Sequence, residues 1–75
     1  MFVYVLIIVE QANVQDLFEE LINHERVADG HVLFGEWDII LKIKAESPED
    51  ASSFVLEELR TRREVKLTSS LIVAR

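Results

Sequence analysis

Glu36 and Asp38 are the two side chains of this sequence whose type and spacing best suit acid–base chemistry. They lie two positions apart, so in extended backbone around Trp37 both carboxyl groups project to the same side. Two carboxyl groups held close together can divide the work of general acid and general base. The alternative interpretation, which we favour, is that both are polar residues at the end of a β-hairpin.

The histidines and arginines are weaker candidates for a functional site. Regular secondary structure is predicted to be interrupted between His24 and His31. As a metal pair, the two histidines would need at least one more ligand. Arg60, Arg62 and Arg63 could hold an anion, but a basic cluster at the end of a helix is usually a solvated cap. With only two glycines in the chain, there is no glycine-rich phosphate loop. We therefore predict no enzyme activity, no metal site and no cofactor.

Composition limits the classes of partner. The chain has 75 residues, a net charge of −6 and no cysteine. The negative charge argues against direct binding to nucleic acid or to anionic membranes, because phosphate groups attract positive surfaces. The apolar run 2–9 is too short to span a bilayer. We expect a cytoplasmic protein that forms one domain, residues 1–75.

A domain of this size usually needs additional stabilisation, because one small core contributes only about 3–5 kcal/mol. Disulfides are excluded by the absence of cysteine, and a four-ligand metal site is disfavoured. The chain is nevertheless 49% hydrophobic, which is high for so little interior. Association with other copies of the chain is the remaining source of stability, so we predict a homodimer or a larger oligomer.

Four segments have the composition of β-strands. The first is β-branched and aromatic without a polar break, which is typical of a strand covered on both faces. Asp29-Gly30 is predicted to interrupt regular secondary structure. Gly35 to Trp37 are predicted to form a tight turn or bulge. The predicted strands span residues 2–9, 31–34, 38–45 and 65–74.

Two segments between these strands have helical periodicity. Asn13 and Ser47 are the predicted N-caps, and Pro48 fits the first turn of the second helix. Apolar residues recur at helical spacing after each cap. The predicted buried stripes comprise Val14, Leu17, Phe18, Leu21 and Ile22 in the first helix, and Ala51, Phe54, Val55, Leu56 and Leu59 in the second.

This order of elements predicts an α+β fold, the ferredoxin-like βαββαβ plait, in which a four-stranded antiparallel sheet carries both helices on one face. The other face of the sheet is then open, although the first strand is apolar on both sides. The last strand is predicted to place Val65, Leu67, Leu71 and Val73 on one face, and Ile72 and Ala74 on the other. A second copy packed sheet to sheet, as in dimeric α/β barrels, is the expected cover.

The segment from Leu33 to Lys42 has a more specific pattern: a glycine, a variable residue, an aromatic residue, an aspartate and then an aliphatic strand. In this it resembles the carboxy-terminal effector domain of the Lrp/AsnC family, called RAM for regulation of amino acid metabolism. The opening apolar strand, the second helix ending at Arg60 and the hydroxyl residues that open the segment 68–73 agree with the family in order and spacing. The resemblance covers essentially the whole chain.

The resemblance implies a stand-alone RAM domain without a DNA-binding domain, because the sequence starts directly on the first strand. It implies a transcriptional regulatory domain that binds a small effector, chiefly a free amino acid, where dimers meet. The implied partners are a second copy in a homodimer, further copies in octamer- or decamer-like rings, and full-length Lrp/AsnC regulators.

Carried over residue by residue, the implied effector-binding residues are Gly35, Glu36, Trp37 and Asp38 of the middle motif, and Thr68, Ser69 and Ser70 of the last strand. Asp38 or Glu36 could accept hydrogen bonds from the ammonium group of an amino acid. Backbone N–H groups near Gly35 and the hydroxyl groups could donate to its carboxylate. Trp37 is larger than the residue common at its position in the family, so its indole could narrow or close the pocket.

Two alternatives share the plait. A small dimeric ferredoxin-like-barrel enzyme of the monooxygenase type would need polar catalytic residues in a cavity between sheet and helices, whereas the strands here offer mostly aliphatic side chains. An ACT-like regulatory unit would need a glycine-rich ligand loop after the first strand, and residues 10–13 contain no glycine. We rank both below the Lrp/AsnC interpretation.

Overall fold

The strands and helices follow one another in the predicted order. The computed structural model describes all residues from Met1 to Arg75. The strands are β1 (Phe2–Val9), β2 (Val27–Val32), β3 (Ile39–Lys44) and β4 (Val65–Ile72), and the helices are α1 (Val14–Ile22) and α2 (Pro48–Phe54), which continues into a π-helical turn, Val55–Leu59. The strands form one antiparallel sheet in the order β2-β3-β1-β4, so the predicted ferredoxin-like fold is confirmed. None of the helices has the length and apolar character that crossing a bilayer requires.

Both predicted helix caps are present. Oδ1 of Asn13 accepts a hydrogen bond from the Asp16 backbone N–H at 3.1 Å, and Oγ of Ser47 accepts one from the Asp50 N–H at 3.0 Å. Each bond satisfies one of the donors that the first turn of a helix leaves unpaired. The side chain that precedes each helix therefore fixes where the helix begins.

The core lies between the two helices and one face of the sheet. All fourteen buried side chains are hydrophobic. Alternate residues of the two central strands face inward, because side chains alternate between the faces of a sheet. These residues are Val3, Val5 and Ile7 of β1 and Ile39, Leu41 and Ile43 of β3, and each is completely buried. A slip of one residue in either strand would exchange these side chains with those of the opposite face, so burial of this face disfavours it.

The predicted break at Asp29-Gly30 is wrong, because both residues lie inside β2. Gly30 pairs with Leu41 of β3, and a Cβ atom added to Gly30 would lie 2.9 Å from Leu41 Cδ2 and 3.1 Å from Ile22 Cδ1. The glycine therefore serves close approach between β2, its neighbouring strand and α1. The predicted bounds of this strand, 31–34, are also wrong. β2 begins at Val27, and residues 33 and 34 belong to the loop that follows it.

The prediction that Leu56 belongs to the buried stripe is also wrong, because this residue is 57% exposed. The N–H of Arg60 donates to the carbonyl oxygen of Val55 at 2.9 Å, which is the i→i+5 spacing of a π-helix. The wider turn changes the angle between successive side chains. Leu59 thereby reaches the core, where it is completely buried, while Leu56 faces outward.

The assignment of residues to the two faces of β4 differs from the prediction at the start of the strand. The register between β1 and β4 shifts between Ile8 and Val9, so Leu67 pairs with Ile8 but Val65 pairs with Val9. The extra residue at this irregularity moves Val65 to the helix-covered face, where it packs against the core. Val65 therefore does not share a face with Leu67, and the strand ends at Ile72, before Val73 and Ala74.

The face of the sheet opposite the helices is apolar and uncovered within the chain. Phe2, Leu67 and Leu71 are 43%, 49% and 49% exposed. The other half-buried residues of this face on the three neighbouring strands are mostly apolar: Tyr4, Leu6 and Ile8 of β1 and Ile40 of β3, together with the polar Lys42 of β3 and Ser69 of β4. We call this surface the open face. Its apolar residues on β1 agree with the prediction that this strand is apolar on both sides.

Candidate functional site

The loop 33–38, between β2 and β3, contains four of the seven predicted effector-binding residues. The N–H of Leu33 donates to the Asp38 carbonyl oxygen at 2.8 Å, and the N–H of Asp38 donates to the Ile7 carbonyl oxygen at 2.9 Å. These bonds close the ends of the loop on one another and attach it to β1. Gly35 has φ = +127°, a backbone conformation that L-residues with a side chain rarely adopt. The chain therefore reverses where the sequence predicts, but through a six-residue loop, 33–38, and not through the predicted tight turn or bulge at residues 35–37.

One oxygen of the Asp38 carboxylate is already engaged within the chain. Its Oδ2 atom accepts a hydrogen bond from the Val9 N–H at 2.7 Å, a short distance typical of a charged acceptor. Val9 is the last residue of β1, and β3 begins at Ile39, so the carboxylate takes the place of a further strand partner. The half-buried Asp38 side chain thus joins the loop to the end of a central strand.

The tip of the loop is exposed to solvent. Phe34, Gly35 and Glu36 are exposed, while Trp37 is half-buried. The Glu36 carboxylate takes part in none of the four ion pairs of the chain. None of the backbone N–H groups from Phe34 to Trp37 donates to a backbone carbonyl oxygen. One free carboxylate and several free N–H donors therefore lie within a few residues of each other.

The three predicted hydroxyl residues are separated from this loop by β1. Thr68 pairs with Ile7, and Ile7 pairs on its other side with Ile39, the first residue after the loop. Two strand spacings amount to about 10 Å. By the same register, Thr68 and Ser70 share the helix-covered side of the sheet, whereas Ser69 lies on the open face. A single chain does not gather all seven residues around one small molecule.

The main depressions in the surface of the single chain lie elsewhere. One, of about 420 Å³, is lined by Glu10, Gln11, Arg63 and Glu64. Another, of about 190 Å³, lies between the ends of the helices beside His24 and Phe54. None of the main depressions is lined by residues 35–38 or 68–70. An effector bound at the predicted residues would need further walls.

The basic residues near the end of α2 do not form one anion site. Nη1 of Arg62 lies 2.7 Å from Glu20 Oε1 on α1, and its Nε donates to the Glu58 carbonyl oxygen at 3.0 Å. Arg62 therefore connects the two helices, contrary to its interpretation as part of a solvated cap. Arg60 and Arg63 are exposed, as that interpretation predicts.

The two histidines lie in different surroundings. The ring of half-buried His24 meets the ring of Phe54 edge to face, with 5.1 Å between the centroids, and its Nδ1 accepts from the Arg26 N–H at 3.1 Å. The exposed His31 lies 3.8 Å from Asp29 on β2. No three histidine, aspartate or glutamate side chains converge on a point where they could hold a metal ion.

Arg26 connects several elements of the fold, which the sequence did not predict. Its Nη2 lies 2.6 Å from Asp50 Oδ2 and donates to the Lys44 carbonyl oxygen at 3.0 Å, and its guanidinium lies 5.1 Å from the centre of the Phe54 ring. The residue therefore joins the start of β2, the end of β3 and the first turn of α2. No local pattern marks it, because its partners come from distant parts of the chain.

Substitution of Arg26 by alanine should lower the free energy of unfolding by about 2 kcal/mol, since it removes hydrogen bonds to charged and partly buried partners. Urea denaturation at one fixed protein concentration measures the change. Arg60→Ala is the matched control, because Arg60 is exposed, and its effect should stay within about 0.5 kcal/mol. Equal losses in the two variants would contradict a structural role for the Arg26 contacts.

The sequence and the fold of the chain match one family of regulatory domains. The sequence model of the Lrp/AsnC ligand binding domain matches residues 2–75. The chain belongs to the Lrp/AsnC family. It is 31% identical over 58 residues to an uncharacterized HTH-type transcriptional regulator of Pyrococcus furiosus, and 32% identical over 54 residues to one of Pyrococcus abyssi. These matches cover 77% and 72% of the chain but only 39% and 36% of the lengths of the two regulators.

Solved structures of other proteins share the fold. The crystal structure of FFRP-DM1 superimposes with a TM-score of 0.86 at 25% identity and matches over 96% of both chains. The structure of Escherichia coli AsnC gives a TM-score of 0.87 at 20% identity, over 99% of this chain and 50% of AsnC. A transcriptional regulator from Neisseria meningitidis, in a complex with L-Met, gives 0.86 at 21% identity, over 99% of this chain and 49% of that one. The latter two similarities concern the fold alone.

Proposed function

We propose that this Lrp/AsnC domain binds a free amino acid at an interface between copies of the chain and modulates transcription through protein contacts. The observation that carries the proposal is the loop 33–38, which is fixed to β1 and presents a free carboxylate beside unpaired backbone N–H groups. The complex of the Neisseria regulator with L-Met supports the amino acid as the class of ligand.

The chemistry of the loop suits a zwitterion. An ammonium group needs acceptors, which the Glu36 carboxylate and loop carbonyl groups supply, while a carboxylate needs donors, which the N–H groups of Phe34 to Trp37 supply. The hydroxyl groups of Thr68, Ser69 and Ser70 lie about 10 Å away across β1 in the same chain. In the proposed assembly, a neighbouring copy supplies the remaining walls of the pocket, with Trp37 at its edge.

The open face supports the proposed self-association. It combines the exposed side chains of Phe2, Leu67 and Leu71 with half-buried apolar neighbours, a surface that soluble monomers rarely leave uncovered. A second copy packed on it forms the homodimer, and dimers then join into octamer- or decamer-like rings. Full-length Lrp/AsnC regulators, which carry the same domain, are the proposed protein partners in transcription.

A thermal-shift screen of the twenty amino acids tests this proposal. A ligand that binds only the folded state at a hundred times its Kd stabilises that state by about 2.7 kcal/mol. For a domain of this size, such stabilisation raises Tm by roughly 10 °C or more. We expect a response to one amino acid or to a few chemically related ones. A folded protein that responds to none of the twenty at 10 mM would contradict the proposal.

The monooxygenase-type enzyme is the second candidate, and the core disfavours it. Such an enzyme needs polar groups in a cavity between the sheet and the helices. In this chain the fourteen side chains buried there are all hydrophobic, and they include the central residues Ile7, Leu41 and Leu59. The space in which that chemistry would occur is filled by hydrophobic side chains, so the regulatory function is better supported.

A further inference from the structure

We infer that the depression between the ends of the two helices, which we call the helix cleft, is a binding site for a neutral molecule with one ring and a hydroxyl group. The helix cleft has a volume of about 190 Å³ and lies beside His24 and Phe54. It is separate from the loop 33–38, because Val27, which lines the cleft, is the first residue of β2, whereas the loop follows the last residue of that strand. Five residue steps along a strand span about 17 Å. The inference therefore goes beyond the proposed function and does not depend on it.

Apolar side chains form the base of the helix cleft, and charged side chains form its walls. Leu21, Val27 and Phe54 lie at the base, and each is at most 9% exposed. One wall is fixed by the ion pair between Arg62 and Glu20, whose Nη1 and Oε1 atoms lie 2.7 Å apart. An apolar cavity of about 150 Å³ is sufficient to hold benzene. The helix cleft is therefore large enough for one six-membered ring.

A hydrogen bond within the chain determines which ring nitrogen of His24 carries a proton. Nδ1 of His24 accepts from the Arg26 N–H at 3.1 Å. A neutral imidazole ring has one proton, so in this ring the proton lies on Nε2. The Nε2–H group is therefore a hydrogen-bond donor, and a ligand group beside it must be an acceptor.

The carboxylate of Glu58 makes the opposite demand. Its Oε2 atom lies 3.9 Å from His24 Nε2, a separation longer than a hydrogen bond. A carboxylate can only accept, so a ligand group beside Glu58 must be a donor. Glu58 belongs to the π-helical turn Val55–Leu59, and π-helical turns are frequently found at functional sites.

A hydroxyl group meets both demands, because its oxygen accepts from the Nε2–H of His24 while its proton is donated to the carboxylate of Glu58. An ammonium group has no acceptor to offer His24, and a carboxylate group would be repelled by Glu58. A ring attached to the hydroxyl group also covers the remaining exposed surface of the apolar base. Since little of that base is exposed, the contact area is small, and we expect a Kd of millimolar order.

Phenol is the probe, and fluorobenzene is the matched compound, since its fluorine atom is of similar size to the hydroxyl group but has no proton to donate. Glu58→Ala removes the acceptor of that proton. The Glu58 side chain is exposed, and its backbone carbonyl oxygen, which accepts from Arg62 Nε, is retained in the variant. Glu57→Ala is the matched control, because Glu57 is an exposed glutamate of the same turn that does not line the helix cleft.

Titration followed by the backbone amide signals in NMR spectra at pH 7.5 tests the site. Phenol should shift the signals of residues 23–27 and 54–62 in a saturable manner and leave those of the loop 33–38 in place. Fluorobenzene should bind the parent about fivefold more weakly, and phenol should bind Glu58→Ala about fivefold more weakly, which is the effect of one hydrogen bond. Glu57→Ala should bind phenol as the parent does.

Two results would overturn the inference. If about 50 mM phenol produced no saturable shift at residues 23–27 and 54–62 of the folded parent, the helix cleft would not be a site for this class of molecule. If phenol and fluorobenzene bound equally well, and Glu58→Ala bound phenol as tightly as Glu57→Ala does, the assignment of the hydroxyl group to His24 and Glu58 would be wrong.

Discussion

Replacing Leu71 with aspartate is expected to dissociate the proposed oligomer of this chain into folded monomers. Leu71 pairs with Tyr4 across the open face and is 49% exposed in the single chain, so the substitution leaves the helix-covered core intact. In a sheet-to-sheet dimer the new carboxylate would be buried without a partner, at a cost of several kcal/mol. A two-fold interface applies this cost twice. Light scattering should show a mass near 8.7 kDa for the variant and at least twice that value for the parent.

Leu56→Asp is the matched control for this experiment. Leu56 is 57% exposed, slightly more than Leu71, but it faces outward from the π-helical turn and not from the sheet. The same chemical change there should leave the mass of the oligomer unchanged. If Leu56→Asp dissociated the protein while Leu71→Asp did not, the helical side of the molecule would be the interface. If the parent itself were monomeric, the proposed dimer would be wrong.

The same experiment also tests the proposed effector site. The loop 33–38 and the hydroxyl residues 68–70 lie on opposite sides of β1 in one chain. If a neighbouring copy completes the pocket, a monomeric Leu71→Asp protein should lose the thermal response to the amino acid although both groups of residues are unchanged. A monomer that retained the full response would place the whole site within one chain.

The order of elements could be predicted because its signals are local. The apolar run of β1, the alternation in β3 and the caps at Asn13 and Ser47 depend only on residues that are neighbours along the chain. The grouping of Gly35 to Asp38 was predictable for the same reason, since consecutive residues in a turn must lie together. These signals determined the fold and one half of the candidate site.

The remaining features depend on contacts between distant residues. Leu56 faces outward because of a π-helical turn. Val65 lies on the helix-covered side of the sheet because of an irregularity in the pairing of β4 with β1. The bond between Asp38 and Val9 joins residues 29 positions apart. The distance of Thr68 from the loop depends on the strand order. None of these is encoded in a window of a few residues, so local patterns could not predict them.

Gly30 gives the sharpest test of this distinction, because local and tertiary reasoning predict opposite signs. By local propensity, Gly30→Val should stabilise β2, since valine favours strands and glycine weakens them. In the fold, the first added carbon would already lie 2.9 Å from Leu41 Cδ2 and 3.1 Å from the Ile40 carbonyl oxygen. We therefore expect the free energy of unfolding to fall by about 3 kcal/mol, at the upper end of what overpacking usually costs.

Ala28→Val separates the two effects within the same strand. Ala28 is exposed, so the valine there meets no packed neighbour and should change the free energy of unfolding by less than about 0.5 kcal/mol. Urea denaturation of both variants at one protein concentration gives the comparison. A Gly30→Val protein as stable as the parent would mean that α1 and β3 do not close over this position. A large loss at Gly30 alone would show that the glycine is needed for the packing of α1 on the sheet, in a place where its sequence suggests a break.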